Sequence, residues 1–236
     1  YHRATQSRHR VSQRIIQKYK MELPKGWSEK NLEDIADWGS GGTPKSTVSE
    51  YYDGDISWLI INDLNDGYIH KSKRNITELG LKNSSAKIVD PENILIAMYG
   101  SIGKLGINKI PLATNQAIAF TKKLYGINNR FLFFYLLFSR SNLYKLGKGG
   151  TQLNISQTVL KKVPIVVPPL PEQHRIVEKI EELFSELDNG IEQLKKAKEQ
   201  IKTYRQAVLK AAFEGKLTNG LDGEFFIIDN LIEKGR

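Results

Sequence analysis

The chain has 236 residues, 40% of them apolar, enough for one domain of ordinary size plus a further element, and disorder is not the default. It has no cysteine, which excludes a disulfide framework, thiolate metal sites and a cysteine nucleophile, and suits a reducing cytoplasm. Lys and Arg exceed Asp and Glu by 35 to 26, a formal +9 that points to a polyanionic partner, and the longest apolar run, Phe131 to Phe138, is far too short to span a bilayer.

Residues 1–20 hold Arg3, Arg8, Arg10, Arg14, Lys18 and Lys20 and no acid, so this extension carries +6 and leaves +3 for the rest. Three readings are open for it: a nucleic-acid arm, an amphipathic helix on Val11, Ile15, Ile16 and Tyr19, or an appended leader. It has no apolar core of the kind a signal peptide needs. The globular part, residues 21–171, opens at Met21, with Leu23-Pro24-Lys25-Gly26-Trp27 forming a turn. Leu32 to Asp37 is a short strand or a helical turn. The glycine loop Gly39 to Lys45 invites comparison with phosphate-binding loops, but Thr43-Pro44 follows the glycines and no helix opens behind them, so a structural or substrate-facing loop is expected.

Ile56 to Ile61 is expected as a buried strand, followed by a turn at Asn65-Asp66-Gly67 and the basic cluster Lys71-Ser72-Lys73-Arg74. A basic cluster is usually just solvated; beside a turn it is also suited to phosphate contact. Asn93 to Met98 predicts a second buried strand, leaving through the loop Tyr99 to Lys104. Leu105 to Ile107 and Ala117 to Phe120 predict further strands, joined through Thr114-Asn115-Gln116. Asn129 to Lys145 predicts one helix with its apolar face on Phe131, Phe134, Tyr135, Phe138 and Leu143. A loop from Lys148 to Ser156 leads to a helical turn at Gln157 to Leu160, and Val163 to Val167 is extended.

The proline-rich boundary Pro168-Pro169-Leu170-Pro171 then opens a long helix, expected over 172–217 with its last regular turn near Phe213. Pro171 fits a first turn, where its missing N–H costs nothing, and Glu172 complements the positive end of the dipole. Apolar residues recur at Ile176, Ile180, Leu183, Leu187, Ile191, Leu194, Ile201, Tyr204 and Val208, the seam of a coiled coil with one stutter near Gly190. Glu192 and Lys196 exemplify the i,i+4 pairs of its charged face. An element about 60 Å long exceeds the preceding domain, so it needs a partner helix. A turn at Asp188-Asn189-Gly190 would instead give two helices packed as a hairpin; one continuous helix is favoured because the seam resumes after a one-residue shift. Residues 218–236 form a tail with the apolar patch Phe225-Phe226-Ile227-Ile228.

Catalytic chemistry is not evident. The four histidines have no metal-ligand spacing, Asp53-Gly54-Asp55 with Asp63 lacks the ligand count of a calcium loop, and Asp90-Pro91-Glu92 lacks the lysine of a nuclease site. No Asn/Asp-Pro-Pro-aromatic tetrad of an adenine methyltransferase is present. No catalytic residue, metal site or cofactor is therefore expected.

Leu23-Pro24-Lys25-Gly26-Trp27, Gly41-Gly42-Thr43-Pro44, Ile56-Ser57-Trp58, Gly100-Ser101-Ile102-Gly103-Lys104, Thr114-Asn115-Gln116, Gly150 to Ser156 and Pro168 to Val177 together resemble the DNA-specificity subunit of Type I restriction-modification systems. Tyr204 to Leu209 and Ala212 to Leu217 resemble the end of that family's spacer helix. The resemblance covers about residues 22–218. It implies an α/β (α+β) target-recognition domain, followed by a long α-helix forming an antiparallel coiled coil with a partner. It implies a non-catalytic cytoplasmic protein that binds double-stranded DNA, reads one part of a bipartite site, and docks methyltransferase subunits and restriction subunits. Family members usually carry two recognition domains and two spacers; this sequence has one of each, which implies a half-length form acting as a homodimer on a symmetric site.

Motifs shared by proteins that read different sequences do not themselves discriminate, so base reading is expected on their flanks. These are Lys45, Ser46 and Thr47; Lys71, Lys73 and Arg74; Tyr99, Ser101, Lys104 and Asn108; and Lys148, with Arg or Lys suited to guanine and Asn to adenine. Two other readings stay open: the recognition part of a fused restriction-methylation enzyme, and a coiled-coil interaction protein with no DNA role.

Overall fold

The computed structural model describes residues 23–149 and 153–217. The basic extension, Gly150-Thr151-Gln152 and the tail from 218 onward lie outside the described residues. The chain divides into two compact units, one up to Lys179 and one from Ile180 onward.

The first unit is built on a five-stranded sheet. Strand β1 (Ser28–Asn31) is followed by the single helical turn α1 (Leu32–Ile35) and then by β2 (Ala36–Ser40), so the segment from Leu32 is a helical turn running straight into a strand. The Asp34 carboxylate accepts the Asn31 N–H at 2.7 Å and caps the turn. The long strand β3 (Tyr52–Leu59) begins four residues before the predicted one, and Ile60 and Ile61 leave it for a 3-10 turn. Strands β4 (Tyr68–Ile69), β5 (Asn75–Ile76), β6 (Ile94–Ala97), β7 (Leu105–Asn108), β8 (Ala113–Thr114) and β9 (Ile118–Leu124) follow, with a short helix α2 (Glu78–Lys82) between β5 and β6.

The sheet order is β2-β9-β6-β7-β4, antiparallel except for β4, which runs parallel to β7 with Tyr68 opposite Ile107. A second sheet, β5-β3-β8, packs beside it. All four residues of β6 are buried. Ile94 and Ile96 belong to one core cluster and Leu95 and Ala97 to another, so both faces of this strand are covered, which is why it reads as an unbroken apolar run.

Helices α3 (Asn129–Phe138), α4 (Arg140–Lys145) and α5 (Gln157–Lys161) contribute Phe131, Leu132, Leu136, Leu143 and Leu160 to the first cluster. The single helix expected from Asn129 to Lys145 is thus two. Ser139 at φ −81°, ψ 0° sits in the sparsely allowed bridge region and separates them. Phe138, expected on the buried face, is 78% exposed, whereas Leu143 is fully buried.

Strand β10 (Pro164–Val167) pairs antiparallel with β1, Ser28 opposite Val167, and brings the two ends of the domain together. The last element, α6, is one helix over Leu170–Phe213 that passes unbroken through Asp188-Asn189-Gly190. Its 44 residues correspond to about 66 Å. Its first turns belong to the domain. Glu172 accepts the Trp27 indole N–H at 3.1 Å, Val177 is buried and Ile176 packs on the same core. Ile176 is therefore not an open seam position, because the domain itself covers it. Glu192 pairs with Lys195 at 3.5 Å rather than with Lys196. No helix among the described residues is long and apolar enough to cross a membrane.

Candidate nucleic-acid interface

The end of the five-stranded sheet where β2 and β6 finish and β9 and β7 begin collects most of the loops singled out in the sequence. The glycine loop after β2 is held from inside. Gly41 N–H donates to the Ile118 carbonyl at 3.3 Å, Gly42 N–H to the Thr114 carbonyl at 2.9 Å, and the Gly42 carbonyl accepts the Trp58 indole N–H at 3.0 Å. A Cβ at Gly41 would collide with the Thr114 carbonyl, and one at Gly42 with the Ser85-Ala86 backbone; these glycines permit a close backbone approach. Their N–H groups are committed to carbonyls, so the loop is architectural and not a phosphate cradle.

Beyond the glycines the chain turns outward. The Tyr52 hydroxyl donates to the Pro44 carbonyl at 2.6 Å and its ring packs edge-on against Trp58 at 6.1 Å. This anchors the base of a tip on which Lys45, Ser46 and Thr47 are all exposed. Thr43 hydrogen-bonds Gln116, tying the tip to the loop before β9.

The Tyr99–Lys104 loop forms the connection between β6 and β7. Gly100 and Gly103 take φ of +61° and +79°, values that side-chain-bearing residues rarely adopt, and Ile102 is buried as its anchor. A second loop lies against it. Gly100 N–H donates to the Leu153 carbonyl at 3.0 Å, Ile155 N–H to the Met98 carbonyl at 2.9 Å, and Lys148 and Asn154 exchange backbone bonds at 2.8 and 2.9 Å. Tyr99, Ser101, Lys104 and Lys148 are thereby gathered at one corner, all at least partly exposed.

A residue outside the predicted set holds this corner together. Arg140, the first residue of α4, donates its Nε to the Gly103 carbonyl at 2.9 Å and forms an ion pair with Asp66, which also accepts the Leu105 N–H at 2.9 Å. Asp66, Ser101, Ile102, Lys104, Arg140 and Tyr144 line an open depression of about 250 Å³. Arg140 had no sequence signal, because it falls inside what reads as an uninterrupted helix.

Lys71, Lys73 and Arg74 are exposed on the β4–β5 connection. Since β4 runs parallel to β7, this connection leaves from the opposite end of β7, away from Tyr99 and Lys104. It lies instead near a group the sequence did not indicate. The Tyr68 ring has the Lys109 ammonium 4.2 Å and the Arg130 guanidinium 4.9 Å from its centroid, with the His70 ring edge-on at 6.5 Å. Lys109 also pairs with Glu92 at 2.6 Å. The alternation Tyr68-Ile69-His70 was the only signal available, since period two puts Tyr68 and His70 on one face.

Asn108 does not belong to the interface. It is fully buried, its Nδ2 donates to the carbonyls of Val89, Asp90 and Ile110 at 3.3, 2.8 and 2.9 Å, and its Oδ1 accepts the Asn93 N–H at 3.0 Å. Both ends of the amide are spent on folding the approach to β6, and nothing remains for a base edge. Among the described residues no group of acidic and histidine side chains is arranged to hold a metal ion.

On the second unit, Leu183, Leu187, Ile191, Leu194, Ile201 and Tyr204 are all exposed, and Ile180 and Val208 are partly so.

Comparison with known proteins agrees with this architecture. A family profile described as Type I restriction modification DNA specificity domain matches residues 24–202. The MjaIX specificity subunit of Methanocaldococcus jannaschii is 34% identical over 185 residues, covering 75% of this chain and 41% of that protein. The EcoKI specificity subunit of Escherichia coli K12 is 28% identical over 208 residues, covering 84% and 44%. The chain thus spans less than half the length of these two relatives. The HsdS subunit from Thermoanaerobacter tengcongensis shares the fold, with a TM-score of 0.61 at 19% identity over 91% of this chain and 55% of that one.

Proposed function

Because the chain belongs to the Type I restriction-modification DNA-specificity family, to whose profile residues 24–202 are matched, we propose that it is a specificity subunit that recognises one part of a bipartite DNA site. In this reading residues 21–171 are the target-recognition domain and 172–217 the spacer, acting in the cytoplasm. The chain supplies no catalytic group; methyl transfer and cleavage belong to methyltransferase and restriction subunits that dock on it. The spacer seam from Ile180 to Val208 takes an antiparallel partner helix.

The observation that carries this reading is the convergence of the Tyr99–Lys104 loop with the chain at Leu153 to Ile155, fastened by two backbone hydrogen bonds, while two more tie Lys148 to Asn154; Arg140 bounds the corner. A prearranged corner of hydroxyl, aromatic and ammonium groups suits base edges and phosphates together. Lys45, Ser46 and Thr47 extend it along the glycine-loop tip. Lys71, Lys73 and Arg74 fit a more distant contact with the phosphate backbone.

Selection from a pool of duplexes with randomised positions tests it. One enriched sequence, bound on the order of 10³-fold more tightly than random DNA at physiological salt, is expected. Binding that falls with salt but shows no enrichment at any ionic strength would reject the reading in favour of an interaction protein without a DNA role.

A further inference from the structure

The corner built on the Tyr99–Lys104 loop offers groups suited to DNA and, beside them, an acid. Asp66 lines the same open depression as Ser101, Lys104 and Arg140, and its side chain is 33% exposed. An acid on a surface that meets phosphates weakens binding to every sequence, because like charges repel. Its backbone is unfavourable as well. Asp66 takes φ +60°, in the left-handed region that glycine enters freely and a residue with a side chain enters at a cost. Neither charge nor conformation recommends an aspartate here, so its use lies in what the carboxylate holds.

What it holds is the loop. The carboxylate accepts the Leu105 N–H at 2.9 Å and pairs with Arg140, while the Asp66 N–H donates to the Leu105 carbonyl at 2.9 Å. Arg140 carries the connection onward. Its Nε donates to the Gly103 carbonyl at 2.9 Å, and a Cβ at Gly103 would lie 3.1 Å from its Cγ, so the stem of the side chain lies close against the loop. The loop needs such a hold, because Gly100 and Gly103 both take positive φ and glycine gives up more conformational freedom on being fixed than any other residue. The Gly100 end is fixed to the Leu153 carbonyl; Asp66 and Arg140 fix the Gly103 end.

We propose that Asp66 and Arg140 are positioning residues for DNA recognition: their ion pair sets the Gly103 end of the loop, and through it Ser101 and Lys104, in the geometry that reads the site. The proposal rests on the specificity reading above and deepens it by naming two residues that govern discrimination through the loop they hold. Arg140 directs Nε and one Nη at the protein, and the Asp66 carboxylate is engaged by Leu105 and Arg140. The acid lowers the attraction for all DNA alike, and it is kept because a loosened loop would hold its donors in no single arrangement and so favour no single sequence.

Asp66→Asn in the full-length chain tests this, because charge and positioning predict different results. Asparagine tolerates positive φ and its amide oxygen still accepts the Leu105 N–H, so the turn survives and the charge alone is lost. If charge were all that mattered, the variant would bind the enriched duplex and a random duplex more tightly by equal factors. Positioning predicts random DNA bound at least as tightly as before, while the ratio of enriched to random affinity falls roughly tenfold, the scale of one base contact. Arg140→Lys, which keeps the charge but loses the Nε donor and the fork, should lower the same ratio. The double variant should lose no more than the larger single loss, as residues acting through one pair do. Asn108→Ala controls for a merely weakened fold, with lower stability and an unchanged ratio. An Asp66→Asn ratio equal to that of the unsubstituted chain, or an equal fall for Asn108→Ala, overturns the positioning and leaves the specificity reading standing. An unsubstituted chain that enriches no duplex removes the specificity reading and the positioning with it.

Discussion

Gln173 is fully buried, and its side-chain oxygen accepts the backbone N–H of Asn128 at 2.7 Å. Its Nε2 donates to the carbonyls of Gly126 and Pro168 at 3.2 and 2.8 Å. Asn128 in turn caps α3 by accepting the Phe131 N–H at 3.0 Å. One carboxamide therefore fastens the first turn of α6 to the entrance of α3, so the connection between the domain and its helix is specified by polar complementarity as well as by Val177.

Replacing Gln173 by Leu would leave the buried Pro168 carbonyl without its donor and take their partners from the half-buried Asn128 N–H and the Gly126 carbonyl. At roughly 1–3 kcal/mol for such a loss, the expected cost is about 3 kcal/mol. Urea denaturation followed by tryptophan fluorescence measures it, and a loss below about 0.5 kcal/mol would show that water replaces the amide and that the fastening is incidental.

Asn108→Ala separates structure from reading. The substitution removes four hydrogen bonds at a buried site, so a stability loss of about 2–3 kcal/mol is expected. The sequence enriched in a DNA selection should be unchanged. An altered preference at a single base position, with stability intact, would return Asn108 to the interface.

Lys104→Ala and Lys148→Ala should each weaken DNA binding about uniformly across sequences if they touch phosphates, and should lower the slope of log K against log salt by about 1. If either reads a guanine edge, the loss concentrates at one base position and amounts to about 1–3 kcal/mol. A variant that does neither places that lysine outside the contact surface.

Burial pushes the Tyr135 phenol above its ordinary value, and its hydroxyl donates to the Pro164 carbonyl at 3.1 Å. The folded state therefore holds this proton more tightly than the unfolded chain. The contribution is present in full below the unfolded value of about 10 and is lost as pH rises through the folded one, so stability should fall with increasing pH in that range. Denaturation midpoints between pH 9 and 11 check this. Tyr135→Phe should flatten the decline, and an unchanged slope would mean that the phenol does not ionise on unfolding.

Much of the architecture was legible in local chemistry. Ile94 to Ala97 reads as a strand because an apolar run without alternation is what burial on both faces requires. The long helix reads from Pro171 onward because its seam repeats over nine positions, and a repeat sustained that long outweighs one glycine at position 190. The glycine loop was legible as architecture from Thr43-Pro44, and the family from motifs held in order along the chain.

Tertiary structure alone decided which candidates stand together. The break at Ser139 has no proline or glycine to announce it, and what it delivers, Arg140 against Gly103 and Asp66, joins residues far apart in the chain. Asn108 and Lys109 are neighbours in sequence, but the pleat sends one amide into the core and the other ammonium onto the Tyr68 ring. Ile176 carries the same spacing as the open seam but is covered by the domain. Periodicity specifies which face of an element is apolar; what that face meets depends on the packing of distant segments, and there the sequence has no local term to express it.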